Sequence, residues 1–174
     1  IEENKRFINK IYQAVRFLLL HSKETVYNDS DKTLQLIDKW VRCQLIHTSN
    51  RINDYFEQRN FMGVTNELYQ FWYLICDNYI EYVKFVLSKG TLEECKIAIK
   101  NLQYIIDNAL CLLHPIMPFV TEELWQLLPN RTEKDISISV APYPSFKEIN
   151  NNNNNDNITK NPDNIIGNEI WSVI

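Results

Sequence analysis

Glycine and proline are scarce: 3 and 6 in 174 residues. So few turn-forming residues argue against a sandwich or barrel of many short strands. Long apolar runs are missing too. The longest is a handful of residues, far below the roughly 20 that a membrane-spanning helix needs, and no signal peptide is visible. The four cysteines, Cys43, Cys76, Cys95 and Cys111, form no CxxC or CxH pair. Three fall in apolar helical runs, which points to buried, reduced thiols rather than zinc or disulfides. No Gly-rich phosphate loop, HExxH, GxSxG or kinase signature occurs. His114 has no Ser or Cys near it in sequence, and its place before Pro115 fits a helix end. Glu122 and Glu123 are neighbours, so on a helix they point about 100° apart and suit helix-start charges better than an acid–base pair. The expectation is a cytosolic chain with no catalytic, cofactor-binding or metal-binding residues of its own. It opens without Met inside a helix and ends in IWSVI, which reads as a piece of a longer protein.

One stretch lacks acids altogether. From Arg6 to Leu20 (RFINKIYQAVRFLLL) a helix at about 100° per residue has two unlike faces. Phe7, Ile8, Ile11, Tyr12, Ala14, Val15, Leu18 and Leu19 form one, which requires a core. Arg6, Asn9, Lys10, Gln13, Arg16 and Phe17 share the other. Cations, flat amides and a ring suit phosphates, base edges and base stacking, while an ordinary surface helix is the bland alternative. Net charge is −4 overall, which on its face opposes nucleic-acid binding. The charge is unevenly spread, however: +3 over residues 1–23, −2 over 24–90 and −5 over 91–174. A local basic patch is compatible with an acidic whole. Lys23 and Tyr27, in the polar loop 22–31, could extend that patch.

The rest reads as helices. A second is expected over 32–58, capped by Ser30 or Asp31, with Leu36, Ile37, Trp40, Val41, Leu45, Thr48, Ile52, Tyr55 and Phe56 at three- and four-residue steps. A third runs from about Phe61 to Leu87. Its segment LYQFWYLICDNYIEYVKFVL is apolar over so much of its circumference that several neighbours must bury it. Thr91 and Glu94 form a capping box for a fourth helix, which His114-Pro115 ends. After the corner Ile116–Phe119, Thr121 caps a short fifth helix that closes at Leu128. The alternation ISISV (136–140) predicts a short extended piece, and APYPSF (141–146) a Pro-fixed turn. Residues 149–164, Asn-rich and without anchors, are expected to be disordered, and 165–174 to begin a further helix. The fold expected is an all-α bundle of about five helices over 1–148 with a short extended C-terminal appendage.

HPIMPFVTEELWQLLP (114–129) resembles the corner and short helix of the anticodon-binding domain of class Ia aminoacyl-tRNA synthetases. FINKIYQAVRF (7–17) is similar to the opening helix of that domain, LYQFWYLICDNYIEYVK (68–84) to its third helix in valine enzymes, and SISVAPYPSF (137–146) to the segment after the fifth. The four occur in order over about residues 5–147, and ICDNYIEYVK favours valine over the isoleucine and leucine relatives. The resemblance implies an anticodon-recognition domain of a valine–tRNA ligase. ATP, Mg²⁺ and the HIGH and KMSKS signatures would belong to the complete synthetase; neither signature is in this chain. The partners implied are the anticodon stem-loop of a valine-accepting tRNA and the catalytic and editing domains of the same polypeptide, in a monomer without membrane contact. Carried over by position, the anticodon-binding residues are Asn9, Lys10, Gln13, Arg16 and Phe17, with Lys23 from the loop. Arg16 and Lys10 would contact phosphate or a base edge, Phe17 would stack on a base, and Asn9 and Gln13 would read the A and C shared by valine anticodons. Gln13 departs from the family's usual Asn. Two rival readings are an isoleucyl- or leucyl-type domain and a helical protein-interaction domain without RNA binding.

Overall fold

The computed structural model describes residues 2–22, 34–129, 131 and 136–146. Lys23, Tyr27, the expected cap at Ser30 or Asp31, the Asn-rich run and the stretch 165–174 lie outside the described residues. Within them the fold is all-α, as the periodicity requires, and no strand occurs. The helices are α1 (Glu2–Ser22), α2 (Leu36–Glu57), α3 (Phe61–Leu74), α4 (Ile80–Lys89), α5 (Leu92–Leu113) and α6 (Pro118–Gln126). A π-helical turn, Ile75–Tyr79, joins α3 to α4 without a break, so six segments make five rods.

The apolar face expected of α1 is the face it buries: Phe7, Ile11, Ala14, Val15 and Leu18 are each at most 2% exposed. Each large side chain so buried contributes about 1.5–3 kcal/mol, enough to hold α1 in place by packing alone. The helix ends at Ser22, where its expected end at His21–Ser22 lies, and there His21 Nδ1 donates to the Phe17 carbonyl at 2.9 Å and Ser22 Oγ to that of Leu19 at 3.2 Å. The aromatic third rod is packed among several neighbours, as expected, with Leu68, Phe71, Trp72, Ile75, Tyr79 and Val83 all buried.

Two helix starts and one extended piece differ from expectation. α2 starts at Leu36 rather than 32, because the Asp38 carboxylate accepts the Gln35 backbone N–H at 3.2 Å and makes Gln35 the cap. α6 starts at Pro118, whose fixed φ suits the first helical position. Thr121 therefore lies inside the first turn and caps nothing; its hydroxyl donates to the Met117 carbonyl at 2.9 Å. The expected extended piece at 136–140 is instead a 3₁₀ turn, Ile138–Val140, with Ser137 at its cap. No neighbouring strand pairs with it, and side chains pin it to α6 instead. Ser137 Oγ donates to Glu122 at 2.7 Å, Gln126 Nε2 to the Ile136 carbonyl at 2.9 Å, and His114 Nε2 meets Ser139 Oγ at 3.0 Å. Ile138 alone of the three alternating apolar residues is buried.

A polar bridge crosses the middle of the bundle. Tyr79 donates to Asp38 at 2.6 Å, Asn101 Nδ2 donates to the Tyr79 hydroxyl at 2.7 Å, and Arg42 Nε donates to Asn101 Oδ1 at 2.5 Å. Asp38, Tyr79 and Asn101 are fully buried, so this chain locks α2, the π turn and α5 together.

Candidate nucleic-acid interface

Lys10, Gln13, Arg16 and Phe17 recur at three- and four-residue steps on α1, and in the structure they line one wall of a groove of about 430 Å³. Leu20 extends that wall, and Cys76, Ile80 and Lys84 form the opposite one. The π turn sets that second wall. Its Ile80 N–H bonds back to the Ile75 carbonyl, five residues earlier. The added residue offsets everything downstream by about 100° relative to an unbroken α-helix. Downstream of the turn Ile80 and Lys84 line the groove, and within it Cys76 lines the groove, Asp77 meets Lys10 and Tyr79 turns inward to Asp38.

The expected residues are not equivalent. Arg16 is exposed and makes no ion pair with any described residue. Gln13 is likewise exposed and has no described partner, so its amide edge is available. Phe17 is half-buried: one side packs on the core and on the His21 ring, 4.4 Å between centroids, while the ring still lines the groove. Lys10 is already engaged. Its Nζ lies 2.7 Å from Asp77 Oδ1 and 2.8 Å from Oδ2, and 4.0 Å from the centre of the Tyr73 ring. Asn9 is exposed but does not line the groove. Lys23 lies outside the described residues. The structure thus brings four of the six together.

Reading α1 alone misses the groove residues Cys76, Ile80 and Lys84, and Tyr73 and Asp77 beside Lys10. All five lie in LYQFWYLICDNYIEYVK (68–84), but a single helix's wheel cannot show which face another helix turns toward it. Ala14, Phe17, Leu20 and Ile80 give the groove an apolar interior, with Lys10, Arg16 and Lys84 as cations around it. Burial pushes the Cys76 thiol up to about 11, chiefly by desolvation, so it stays a neutral thiol and not a nucleophile. The arrangement suits a flat, partly apolar group between two walls with anionic groups at the edge.

His114 receives the partner that its sequence neighbourhood did not offer. Its Nδ1 lies 2.7 Å from Thr121 Oγ1 and its Nε2 3.0 Å from Ser139 Oγ. Thr121 gives its own proton to the Met117 carbonyl, so Nδ1 is the donor to Thr121 and Nε2 accepts from Ser139. With Ser137 on Glu122, this is a clasp holding the 3₁₀ turn to α6. Glu123, rather than pairing with Glu122, accepts the Tyr12 hydroxyl of α1 at 2.8 Å.

Comparison with known proteins gives the family of the chain. A family model described as the anticodon-binding domain of tRNA ligase matches residues 38–169. The mitochondrial valine–tRNA ligase of Saccharomyces cerevisiae is 42% identical over 151 residues, 84% of this chain and 14% of that protein. The valine–tRNA ligase of Schizosaccharomyces pombe is 39% identical over 150 residues, 83% of this chain and 15% of its own. That of Fervidobacterium nodosum is 40% identical over 146 residues, again 83% of this chain and 16% of the relative. The chain therefore spans about a sixth or less of the length of these relatives.

Proposed function

This chain belongs to the family of anticodon-binding domains of tRNA ligases, and on that footing we propose that its groove grips the anticodon loop of a valine-accepting tRNA. The observation that carries this reading is convergence. Lys10, Gln13, Arg16 and Phe17, chosen on one helix for chemistry that suits RNA, meet a second wall and enclose a slot with an apolar interior and cationic edges. Phe17 stacks on a base, Gln13 and Asn9 offer amides to base edges, and Arg16 takes a phosphate, with Lys84 and Lys23 as further cations. The parent polypeptide charges tRNA with valine, using ATP and Mg²⁺ in its catalytic domain. The catalytic and editing domains, the monomeric state and the cytosolic location belong to this proposal. No helix among the described residues is long and apolar enough to cross a membrane.

The valine relatives favour this reading over an isoleucyl- or leucyl-type parent. A protein-interaction domain without RNA binding is separated by salt. Log affinity for a valine anticodon stem-loop should fall linearly with log salt, and Arg16→Gln should reduce that slope by about one phosphate contact. Affinity indifferent to salt, or an unchanged slope in the variant, would remove Arg16 from the site.

A further inference from the structure

The third rod is apolar over so much of its circumference that its apolar residues alone do not choose how it is wound. In the observed winding Ile75, Tyr79, Ile80, Val83 and Val86 are buried, while Tyr82 is half-buried and Phe85 is 64% exposed. The π turn makes that winding, through the bond from the Ile80 N–H to the Ile75 carbonyl. An unbroken α-helix through the same residues would shift every later side chain by one position, about 100° round the axis. Tyr82 would then take the place of Val83, and Phe85 that of Val86. Both exchanges keep the inward face apolar. The two windings differ in kind at one place, where Asn78 would stand instead of Tyr79. That place faces the polar bridge. Tyr79 donates to Asp38 Oδ1 at 2.6 Å and accepts from Asn101 Nδ2 at 2.7 Å, and all three residues are 0% exposed. Burial, with the Asp38 charge beside it, holds the phenol above its ordinary value, so it stays the donor. An asparagine amide stops well short of a tyrosine hydroxyl. The unbroken winding would therefore strand Asp38 and Asn101 in the interior, which is costly.

We propose that Tyr79 is a positioning residue: its hydroxyl, held between Asp38 and Asn101, selects the π winding and thereby builds the second wall of the groove. A buried polar network is a poor way to gain stability, since apolar side chains of similar volume do as well. What it supplies is a single arrangement. Two side chains of the second wall, Ile80 and Lys84, lie downstream of the turn. In the unbroken winding Tyr79 would stand in the place of Ile80, and Val83 in that of Lys84. The groove would lose a cation and gain a bulky ring. The consequence for binding rests on the groove being the RNA site; the choice of winding does not.

The test is made on the 174-residue chain with Tyr79→Phe, which keeps the ring and removes the hydroxyl. That variant leaves Asp38 buried without its donor, so the double variant Asp38→Asn with Tyr79→Phe, which strands no charge, is measured beside it. Tyr82→Phe is the control, because it removes a hydroxyl from the same rod that takes no part in the bridge. The winding is read by NMR as the scalar coupling across the hydrogen bond from the Ile80 nitrogen. In the π turn it runs to the carbonyl carbon of Ile75, and in an α-helix to that of Cys76. Affinity for a valine anticodon stem-loop is measured at a temperature where every variant is fully folded. Wild type and Tyr82→Phe should couple Ile80 to Ile75. The variants without the Tyr79 hydroxyl should couple it to Cys76 and bind the stem-loop roughly tenfold or more weakly, as for one lost charged contact. An Ile75 coupling that survives in both would assign the winding to the valines of α4 and overturn the inference, whatever the melting temperature does. A switched coupling with unchanged affinity would overturn the positioning role. A wild type that binds no stem-loop overturns the anticodon reading instead, and the coupling still decides the winding.

Discussion

Phe17 sits between core and groove, so its contributions to stability and to binding must be separated. Phe17→Ala would mix them, because a half-buried ring takes packing with it. Phe17→Leu keeps most of the apolar contact and loses only the flat face. It should leave stability within about 1.5 kcal/mol while weakening stem-loop binding by roughly 1–3 kcal/mol. Thermal melts beside a fluorescence titration check both, and a large melting loss with unchanged affinity would assign the ring to the core alone. Asp38 belongs wholly to the interior. Its pKa is raised above 3.8 by desolvation, against the lowering effect of the Tyr79 hydrogen bond and the Gln35 N–H. The folded state therefore holds that proton more tightly than the unfolded chain. The resulting stability is present below the unfolded pKa and is lost as pH rises through the raised folded one. Asp38→Asn carries no such titration. Wild type should gain on the variant between pH 7 and pH 4 in urea unfolding, and a pH-independent difference would contradict the assignment.

Among the elements, those governed by their own sequence were legible. The two faces of α1 follow from its 3.6-residue period, and the start of α5 from Thr91 and Glu94. There the Glu94 carboxylate accepts the Thr91 N–H at 2.7 Å and the Thr91 hydroxyl accepts the Glu94 N–H at 3.3 Å. What escaped the sequence depends on contacts from elsewhere. The ISISV alternation gave way to a 3₁₀ turn because the binding partners of 136–139 lie on α6 and at His114. The π turn left no periodic mark, since one added residue in a rod apolar nearly all round does not disturb its hydrophobic pattern, yet it and the α4 residues that follow it supply the second wall of the groove. The α2–α3 turn shows another local choice. Arg59 has φ +56°, and the Asn60 N–H reaches the Tyr55 carbonyl at 2.8 Å, closing α2 as a Schellman turn without glycine. Arg59→Gly removes the Cβ strain of that conformation and should stabilise the chain by about 0.5–1 kcal/mol. A lower denaturation midpoint would show that the arginine side chain contributes more than the strain costs. Gly63, one turn later, has a packing reason: a Cβ there would lie 2.7 Å from the Tyr55 ring.

At the scale of the whole molecule, a net charge of −4 sits on a chain whose groove, the proposed RNA site, carries three cations. Only the local field matters within a Debye length of about 8–10 Å, so the acidic carboxyl-terminal half need not oppose binding there. It does make non-specific attraction weak, which leaves discrimination, in the proposed reading, to groups inside the groove such as Gln13 and Phe17. The bundle holds these groups at fixed spacing through α1's buried face, through the Asp38–Tyr79–Asn101 bridge behind the π turn, and through the Tyr12–Glu123 tie to α6. The central claim is that this groove reads an anticodon. The most direct measurement is an NMR titration of the chain with a valine anticodon stem-loop, beside the same RNA with its middle base changed. The account predicts saturable binding that the change largely abolishes, with the largest shifts at Gln13, Arg16, Phe17 and Ile80. Equal binding to both RNAs, or shifts centred away from α1 and the π turn, would contradict it.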